Sequence, residues 1–301
     1  MSSTKDLVKI DDYCSKFSLS TLHPLVSVHD LSDGTWEGQE HADAVRYHFY
    51  GIFLKQGEGC ILKYGRQNYD YQDGTLVFLA PGQLVHIEHI DNNFKPSGHA
   101  LLFHPDLLWG THLAKTMTDY TFFSYQFHEA LHVSKKERQL VLDLFDKIRT
   151  ELSQGIDKHS KELVVANIEL FLKYCIRFYD RQFITREKEN LGVIQRFENS
   201  LNSYIQTGKA RELGTPSVSY FAEEQSLSSN YFGDLIKKET GKSANEHIQD
   251  KIIEIAKQKI FDPDKSLSQI AYELGFKYPQ HFTRLFKNKV GYTPNEYRRL
   301  N

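Results

Sequence analysis

The sequence predicts an α+β multidomain protein, with an N-terminal antiparallel β-barrel or jelly roll plus helices and an all-α C-terminal part. Three observations carry that expectation. Residues 45–127 break into short runs rich in aromatic and β-branched residues, separated by Asp-Gly, Pro-Gly and Asp-Asn-Asn turns. From Ser134 onward apolar residues recur at three and four positions, the period of a helix. Near the C-terminus one segment repeats at an offset of fifty residues: Phe-Gly-Asp-Leu-Ile-Lys-Lys-Glu-Thr-Gly-Lys-Ser-Ala-Asn-Glu at 232–246 lies over Phe-Thr-Arg-Leu-Phe-Lys-Asn-Lys-Val-Gly-Tyr-Thr-Pro-Asn-Glu at 282–296, with six identities in fifteen positions. A repeated helical unit with lysines on its outer face points to one DNA-reading element used twice.

Taken in order, strands are expected at 45–54, 59–64, 67–71, 75–79, 84–90, 99–103 and 121–127. Many short strands at close spacing favour an antiparallel barrel or jelly roll. Ser134 and Glu137 have the spacing of a capping box, and Val141, Leu144, Phe145, Ile148 and Leu152 follow on one helical face. A second helix starts near Ser160, with Val164, Ile168, Phe171, Cys175 and Phe178 on one flank and Leu163, Leu170 and Tyr174 on another. Both flanks pack inside one chain, or one of them meets a second subunit to make a homodimer. The charged stretch 186–190 is the expected linker. This divides the chain into 1–130 (sensor), 131–190 (helical dimerisation and linker segment) and 191–301 (DNA-binding).

At 301 residues the chain is long enough for two domains with separate cores. Its 40% apolar and 25% charged content is that of an ordinary globular protein. The net charge of −2 hides an asymmetry. Residues 1–190 hold 21 Lys and Arg against 26 Asp and Glu, and residues 191–301 hold 16 against 13. Within 277–299 six bases (Lys277, Arg284, Lys287, Lys289, Arg298, Arg299) face Glu296 alone. Such a local patch suits nucleic acid met by one end of the molecule. Cys14, Cys60 and Cys175 form neither a metal spacing nor a disulfide framework, as expected in a reducing compartment. The start lacks the apolar run of a signal peptide and no stretch is long enough to cross a bilayer, so a cytoplasmic protein without membrane contact is expected.

Each repeated helix follows a shorter amphipathic segment, with Phe221 and Ala222 pointing inward in the first and Ile270, Ala271 and Leu274 in the second. A tight connection joins each pair, the layout of a helix-turn-helix whose second helix enters the major groove. In the second unit Phe282, Leu285 and Phe286 are expected core, and Gln280, His281, Arg284, Lys287 and Asn288 the outer face. Gln can pair with adenine, Arg can grip guanine with two bonds, and Lys neutralises phosphate. The first unit presents Asn230, Gly233, Asp234, Lys237 and Lys238. Gly233 offers no reading group and Asp234 repels phosphate, so this unit is expected to hold the backbone through Lys237 and Lys238.

These residues resemble the AraC/XylS family of bacterial transcription regulators over about 191–301. The carriers are Ile-Ala-Tyr-Glu-Leu-Gly-Phe at 270–276, Phe-Thr-Arg-Leu-Phe-Lys at 282–287 and Gly-Tyr-Thr-Pro-Asn-Glu-Tyr-Arg at 291–298. The resemblance implies two helix-turn-helix units joined by a long helix over about 244–260, binding double-stranded DNA. It places Gln280, His281 and Arg284 at base-reading positions, Lys287 at a backbone contact, and Asn230, Gly233 and Asp234 at the reading positions of the first unit. It further implies an activator that works with RNA polymerase. More loosely, Gly-Thr-Leu-Val-Phe-Leu-Ala-Pro-Gly at 74–82, with His86 following, resembles the family's cupin-like sensor domain. Cupin enzymes hold a metal through several histidines and a glutamate. Here the upstream His-x-His pair is missing, so no metal and no cofactor are expected. His48, Tyr64, Tyr69, Tyr71 and His86, with Phe53 and Trp36, are candidates to line a pocket for a small polar or aromatic effector, or are simply sheet surface. The rival functions are a metal-dependent cupin enzyme with an appended DNA-binding domain, a DNA-repair methyl acceptor needing an activated cysteine, and a regulator that senses no ligand.

Overall fold

The structure, a computed structural model, describes residues 5–35, 44–56, 61–64, 67–69, 74–88, 97–126, 129–154 and 157–300. The chain divides into two units, Met1–Ile184 and Thr185–Asn301. In the first, ten short strands and five helices follow in the order β1 (Lys5–Leu7), α1 (Ile10–Lys16), β2 (Val26–Asp30), β3 (Ala44–Tyr47), β4 (Tyr50–Gln56), β5 (Ile61–Tyr64), β6 (Gln67–Tyr69), β7 (Thr75–Leu79), β8 (Leu84–Glu88), β9 (Ser97–Phe103), α2 (Pro105–Leu108), α3 (His112–Thr116), β10 (Leu131–His132), α4 (Lys135–Ser153) and α5 (Ser160–Thr185). They build two five-stranded sheets, ordered β1-β3-β8-β5-β6 and β10-β7-β4-β9-β2. One core lies between them: Leu7, Val45, Tyr47 and Val85 meet Phe53, Val77, Leu79, Ala100 and Leu102, together with Tyr13, Cys14 and Phe17 of α1 and its C-terminal cap.

No ladder joins the two sheets among the described residues, and no closed barrel is shown. Two expectations are corrected. The pairing is not wholly antiparallel, because β1 runs parallel to β3. The single strand expected over 45–54 breaks at His48 and Phe49 into β3 and β4, which belong to different sheets. Phe49 is fully buried at that corner, so the apolar run continues where the strand does not.

Aromatic content misled the reading of 121–127. Thr121–Ser124 is a 3-10 turn, and Phe122 and Phe123 are buried side by side. Both rings contact Phe78, at 4.5 and 5.5 Å between centroids, and Phe122 stacks on Tyr179 of α5 at 5.5 Å. A strand sends neighbouring side chains to opposite faces and could not place both rings on one residue. This aromatic layer explains why all five residues of β7 are buried, since Val77 faces the intersheet core while Phe78 faces the turn and α5. Ser134 and Glu137 form the expected capping box at the start of α4. Gln182 of α5 is buried, accepting from the His132 amide at 2.8 Å and donating to the Ala130 carbonyl at 3.2 Å. It thereby satisfies backbone groups of the short strand β10.

In the second unit α6 (Glu187–Gln206), α7 (Lys209–Leu213), α8 (Val218–Glu224), α9 (Ser229–Thr240), α10 (Ala244–Lys259), α11 (Leu267–Glu273), α12 (Pro279–Val290) and α13 (Pro294–Leu300) follow in order. The linker expected at 186–190 is a single non-helical residue, Arg186, after which α6 begins. A charged run is as compatible with a first helical turn as with a linker, so composition could not separate the two. Phe197 of α6 is buried against Phe221 at 5.2 Å and Phe232 at 5.3 Å, seating α8 and α9 on α6. Capping boxes form in this unit at Ser243 with Glu246, Ser266 with Gln269, and Thr293 with Glu296.

Glu273, at the end of α11, is the electrostatic centre of this unit. Its side chain is 13% exposed and meets Lys259 at 2.6 Å, Arg211 at 2.7 Å and Lys265 at 3.0 Å. Burial pushes this carboxyl up, but hydrogen bonds from Lys259 and Lys265 and the charges of Lys259 and Arg211 outweigh it and bring its pKa down to about 2.

Two stability predictions follow from these contacts. Gln182→Leu removes the acceptor of the His132 amide and the donor to the Ala130 carbonyl and should destabilise the first unit by about 1–3 kcal/mol, read as a lower urea midpoint. For Glu273, the folded pKa lies below the ordinary value of 4.5, so its stabilisation is complete above that pH and fades as the pH falls towards about 2. Thermal melts across that window should show wild type losing more stability than Glu273→Gln, which has no proton to take up. Parallel acid limbs in the two proteins would mean that the carboxylate contributes nothing.

Candidate nucleic-acid interface

The two repeats have the same architecture down to single hydrogen bonds. Helices α9 and α12 are offset by fifty residues and end on left-handed glycines, Gly241 at φ 74° and Gly291 at φ 88°. The turn before each helix holds one left-handed residue, Ser226 at φ 57° and Gly275 at φ 88°. Just after it, the Leu227 amide donates to the Ala222 carbonyl at 2.9 Å, and the Phe276 amide to the Ala271 carbonyl at 3.0 Å. Ala222 and Ala271 are fully buried, which brings each second helix close over the first. These are two helix-turn-helix units, α8–α9 and α11–α12, joined by α10.

Each reading helix has a buried side and an open one. On α12, Phe282 and Phe286 are fully buried and 5.8 Å apart, while Leu285, expected as core, is only half-buried. Gln280, His281, Arg284, Lys287 and Asn288 are exposed. Among the described residues, the side chains of Gln280, Arg284 and Lys287 make no hydrogen bond or ion pair within the chain, so their donors are available to a ligand. His281 is held differently: its ring lies edge-to-face on Tyr278, at 5.6 Å and 71°. Lys277 places its Nζ 5.7 Å above the same Tyr278 ring. Tyr278, the residue before the first helical turn, was missed by sequence reasoning. A tyrosine preceding Pro279 at a helix start was the available signal.

On α9, Phe232, Leu235 and Ile236 are buried, Asn230, Lys237 and Lys238 exposed, and Gly233 and Asp234 half-buried. The repeat offset superposes Asn230 on Gln280, Asp234 on Arg284 and Lys237 on Lys287. The two open faces therefore share a layout but carry opposite charge at their centres.

Not every base in the C-terminal patch faces outward. Lys289 is bound to Asp250 at 2.8 Å, and Arg298 donates to the carbonyls of Ile260 at 2.6 Å and Lys265 at 3.0 Å. These two hold the fold and leave the patch narrower than the sequence count suggested. Asp250 also takes Lys242 at 2.9 Å, and the bonds from Lys289 and then Lys242 hold its carboxyl below the usual range.

The candidate effector residues are less gathered. His48 is half-buried and lies 3.1 Å from Asp6. Phe53 is inside the intersheet core, 6.3 Å from Tyr13, rather than on a pocket wall. Tyr64 lies on β5 and Tyr69 on β6, and His86 on β8 is in register with Ala44 and Lys63. The side chains of these three, and Tyr71, Trp36 and Cys60 altogether, lie outside the described residues. Among the described residues no three His, Cys, Asp or Glu side chains gather as a metal set, and no helix is long and apolar enough to cross a membrane. Burial raises the thiols of Cys14 and Cys175, the opposite of activation.

Residues 221–300 match the family model described as a helix-turn-helix domain. The chain is 24% identical over 227 residues to an uncharacterized HTH-type transcriptional regulator, YijO, of Escherichia coli (strain K12), covering 75% of this chain and 76% of that one. Over 95 residues it is 40% identical to an uncharacterized transcriptional regulatory protein, YesN, of Bacillus subtilis (strain 168), covering 30% of this chain and 26% of YesN. The chain thus spans about a quarter of the length of that relative. Among solved structures it is similar to the C-terminal domain of the two-component response regulator yesN from Fusobacterium nucleatum, at 24% identity over 34% of this chain and 96% of that one, with a TM-score of 0.30.

Proposed function

We propose that this chain is a cytoplasmic, sequence-specific DNA-binding transcription regulator of the AraC type, in which α12 reads bases and α9 anchors the backbone. One observation carries this reading: two matching helix-turn-helix units each present an open polar face, and on α12 Gln280, Arg284 and Lys287 make no side-chain hydrogen bond or ion pair among the described residues. Gln280 and Arg284 suit base edges in the major groove, and His281 is braced by Tyr278 beside them. Lys287, Lys237 and Lys238 suit phosphates, and Asn230 is placed as Gln280 is. Asp234 stands where Arg284 stands in the second unit and makes α9 the weaker reader.

Following the resemblance, we extend the proposal to an activator that works with RNA polymerase and whose first unit is a cupin-like effector domain. The sheet β1-β3-β8-β5-β6 carries Tyr64, Tyr69 and His86, with His48 just beyond β3, and is the surface proposed for a small effector. The proposal also includes a homodimer through α5. Val164, Ile168, Phe171, Cys175 and Phe178 are buried, whereas Leu163 and Leu170 on the other flank are 47% and 43% exposed. Ile184, two heptads beyond Leu170 with Arg177 between them, is also exposed.

Binding isotherms at several salt concentrations, on a duplex selected from a random pool and on its scrambled counterpart, test the DNA reading. Arg284→Ala should lose about 1–3 kcal/mol on the selected duplex and relax preference at one base position. Lys287→Ala should weaken both duplexes alike and reduce the salt slope by about one unit. Equal losses on both duplexes for Arg284→Ala would reverse the assignment of reader and anchor. For the dimer, sedimentation of the full chain should give twice the monomer mass, and Leu170→Glu should yield a folded monomer. A wild-type chain that sediments as a monomer at high micromolar concentration removes α5 from this role.

A further inference from the structure

One loop, 260–266, connects α10 to α11. With nothing else between the two helix-turn-helix units, it would act as a hinge and let each unit seek DNA separately. Besides the packing of α10 on α12 and the Arg298 bonds to the loop carbonyls of Ile260 and Lys265, ion pairs close that hinge at two places. On one side Glu273, at the end of α11, takes Arg211 from α7, a helix that precedes the first unit in sequence, as well as Lys259 from α10 and Lys265 from the loop itself. On the other, Asp250 in α10 takes Lys242, which follows α9, and Lys289 in the last turn of α12.

Backbone packing reinforces the first closure. Gly275 lies against Gly214, the residue that ends α7, so closely that a Cβ on it would stand 2.5 Å from the Gly214 carbonyl carbon. The Gly214 carbonyl is in turn held by the Tyr204 hydroxyl of α6 at 3.1 Å. The matching position in the first turn is Ser226, which adopts the same left-handed backbone. A non-glycine residue is thus tolerated at that conformation in this fold, and the second turn differs in packing directly on a neighbouring backbone.

We propose that Glu273, through Arg211, is a positioning residue: with the Gly275–Gly214 contact it docks the second helix-turn-helix on α7, so that the two units read DNA as one body with one fixed spacing. The inference rests on the DNA-reading function above. Neither residue touches the open face of α12, and Arg211 has 60% of its side chain exposed, so its removal leaves the fold intact.

The test uses the full-length chain and the duplex that wild type selects from a random pool. Inserting about 5 base pairs between its two halves turns them to opposite faces of B-DNA. Wild type should lose at least about tenfold in affinity on the insertion duplex, because the one base contact proposed for α9, that of Asn230, is forfeited. Glu273→Gln and Arg211→Gln should narrow that loss to about threefold or less, with affinity for the isolated α12 half unchanged, and the double variant should behave as Glu273→Gln alone. A second readout needs no DNA. In a Cys60→Ser background, spin labels at Lys238→Cys and Asn288→Cys should give one narrow distance distribution, broadened about twofold by Arg211→Gln. Variants that keep wild-type spacing discrimination and a narrow distribution overturn the proposal. A wild-type chain that selects no duplex overturns the DNA reading itself, and the positioning role with it.

Discussion

The orientation of both reading helices depends on one backbone constraint, a single left-handed residue in each turn. After α8 and α11 the chain must reverse within a few residues and lay the next helix across an alanine. Only a positive φ at Ser226 and Gly275 lets the following amide return to the alanine carbonyl. Everything on the open faces inherits its direction from that reversal. Phe232 and Phe282 then fall into the core, and Asn230 and Gln280 fall outside it, without any further instruction.

The parts of the fold legible in the sequence are those fixed by neighbours along the chain. Ser243 and Glu246 lie three residues apart, and their pairing needs nothing from the rest of the molecule. The same holds for the periodicity that separated Phe282 and Phe286 from Gln280 and Arg284. What failed was tertiary. The run at 45–54 carries no local mark of its corner at Phe49, because a residue buried between two sheets looks like one buried within a strand. Phe122 and Phe123 read as a strand because aromatics favour strands, but their position follows from Phe78 on the far face of β7 and from Tyr179, nearly sixty residues away. The short helix α7 left no periodic trace at all.

The candidate site divides along the same line. Which residues lie on the open face of α12 was readable from spacing alone. Which cations were free to use was not, since Lys289 and Arg298 are claimed by Asp250 and by two carbonyls from segments far away in sequence. Counting charges in a window treats all bases as equal. The structure sorts them, with structural cations bound to half-buried acceptors and the others left pointing outward.

That sorting bears on why the two repeats have diverged. Duplicating a reading unit supplies two open faces, but a connecting loop alone would leave them independent, each binding with the weak affinity of a short helix. Coupling them needs groups that do not read DNA, and several of these lie outside the repeated segment: Arg211 in α7, Asp250 in α10, Tyr204 in α6. Once the second unit is fixed by such contacts, the first is brought to its groove by geometry rather than by its own affinity. On the proposed DNA reading, Gly233 and Asp234 would then be tolerable at the centre of its open face, because Lys237 and Lys238 would need only hold a backbone already presented to them. On that proposal the acidic centre of α9 and the largely buried carboxylate of Glu273 would be two consequences of one arrangement, in which rigidity substitutes for readout in one of the two helices.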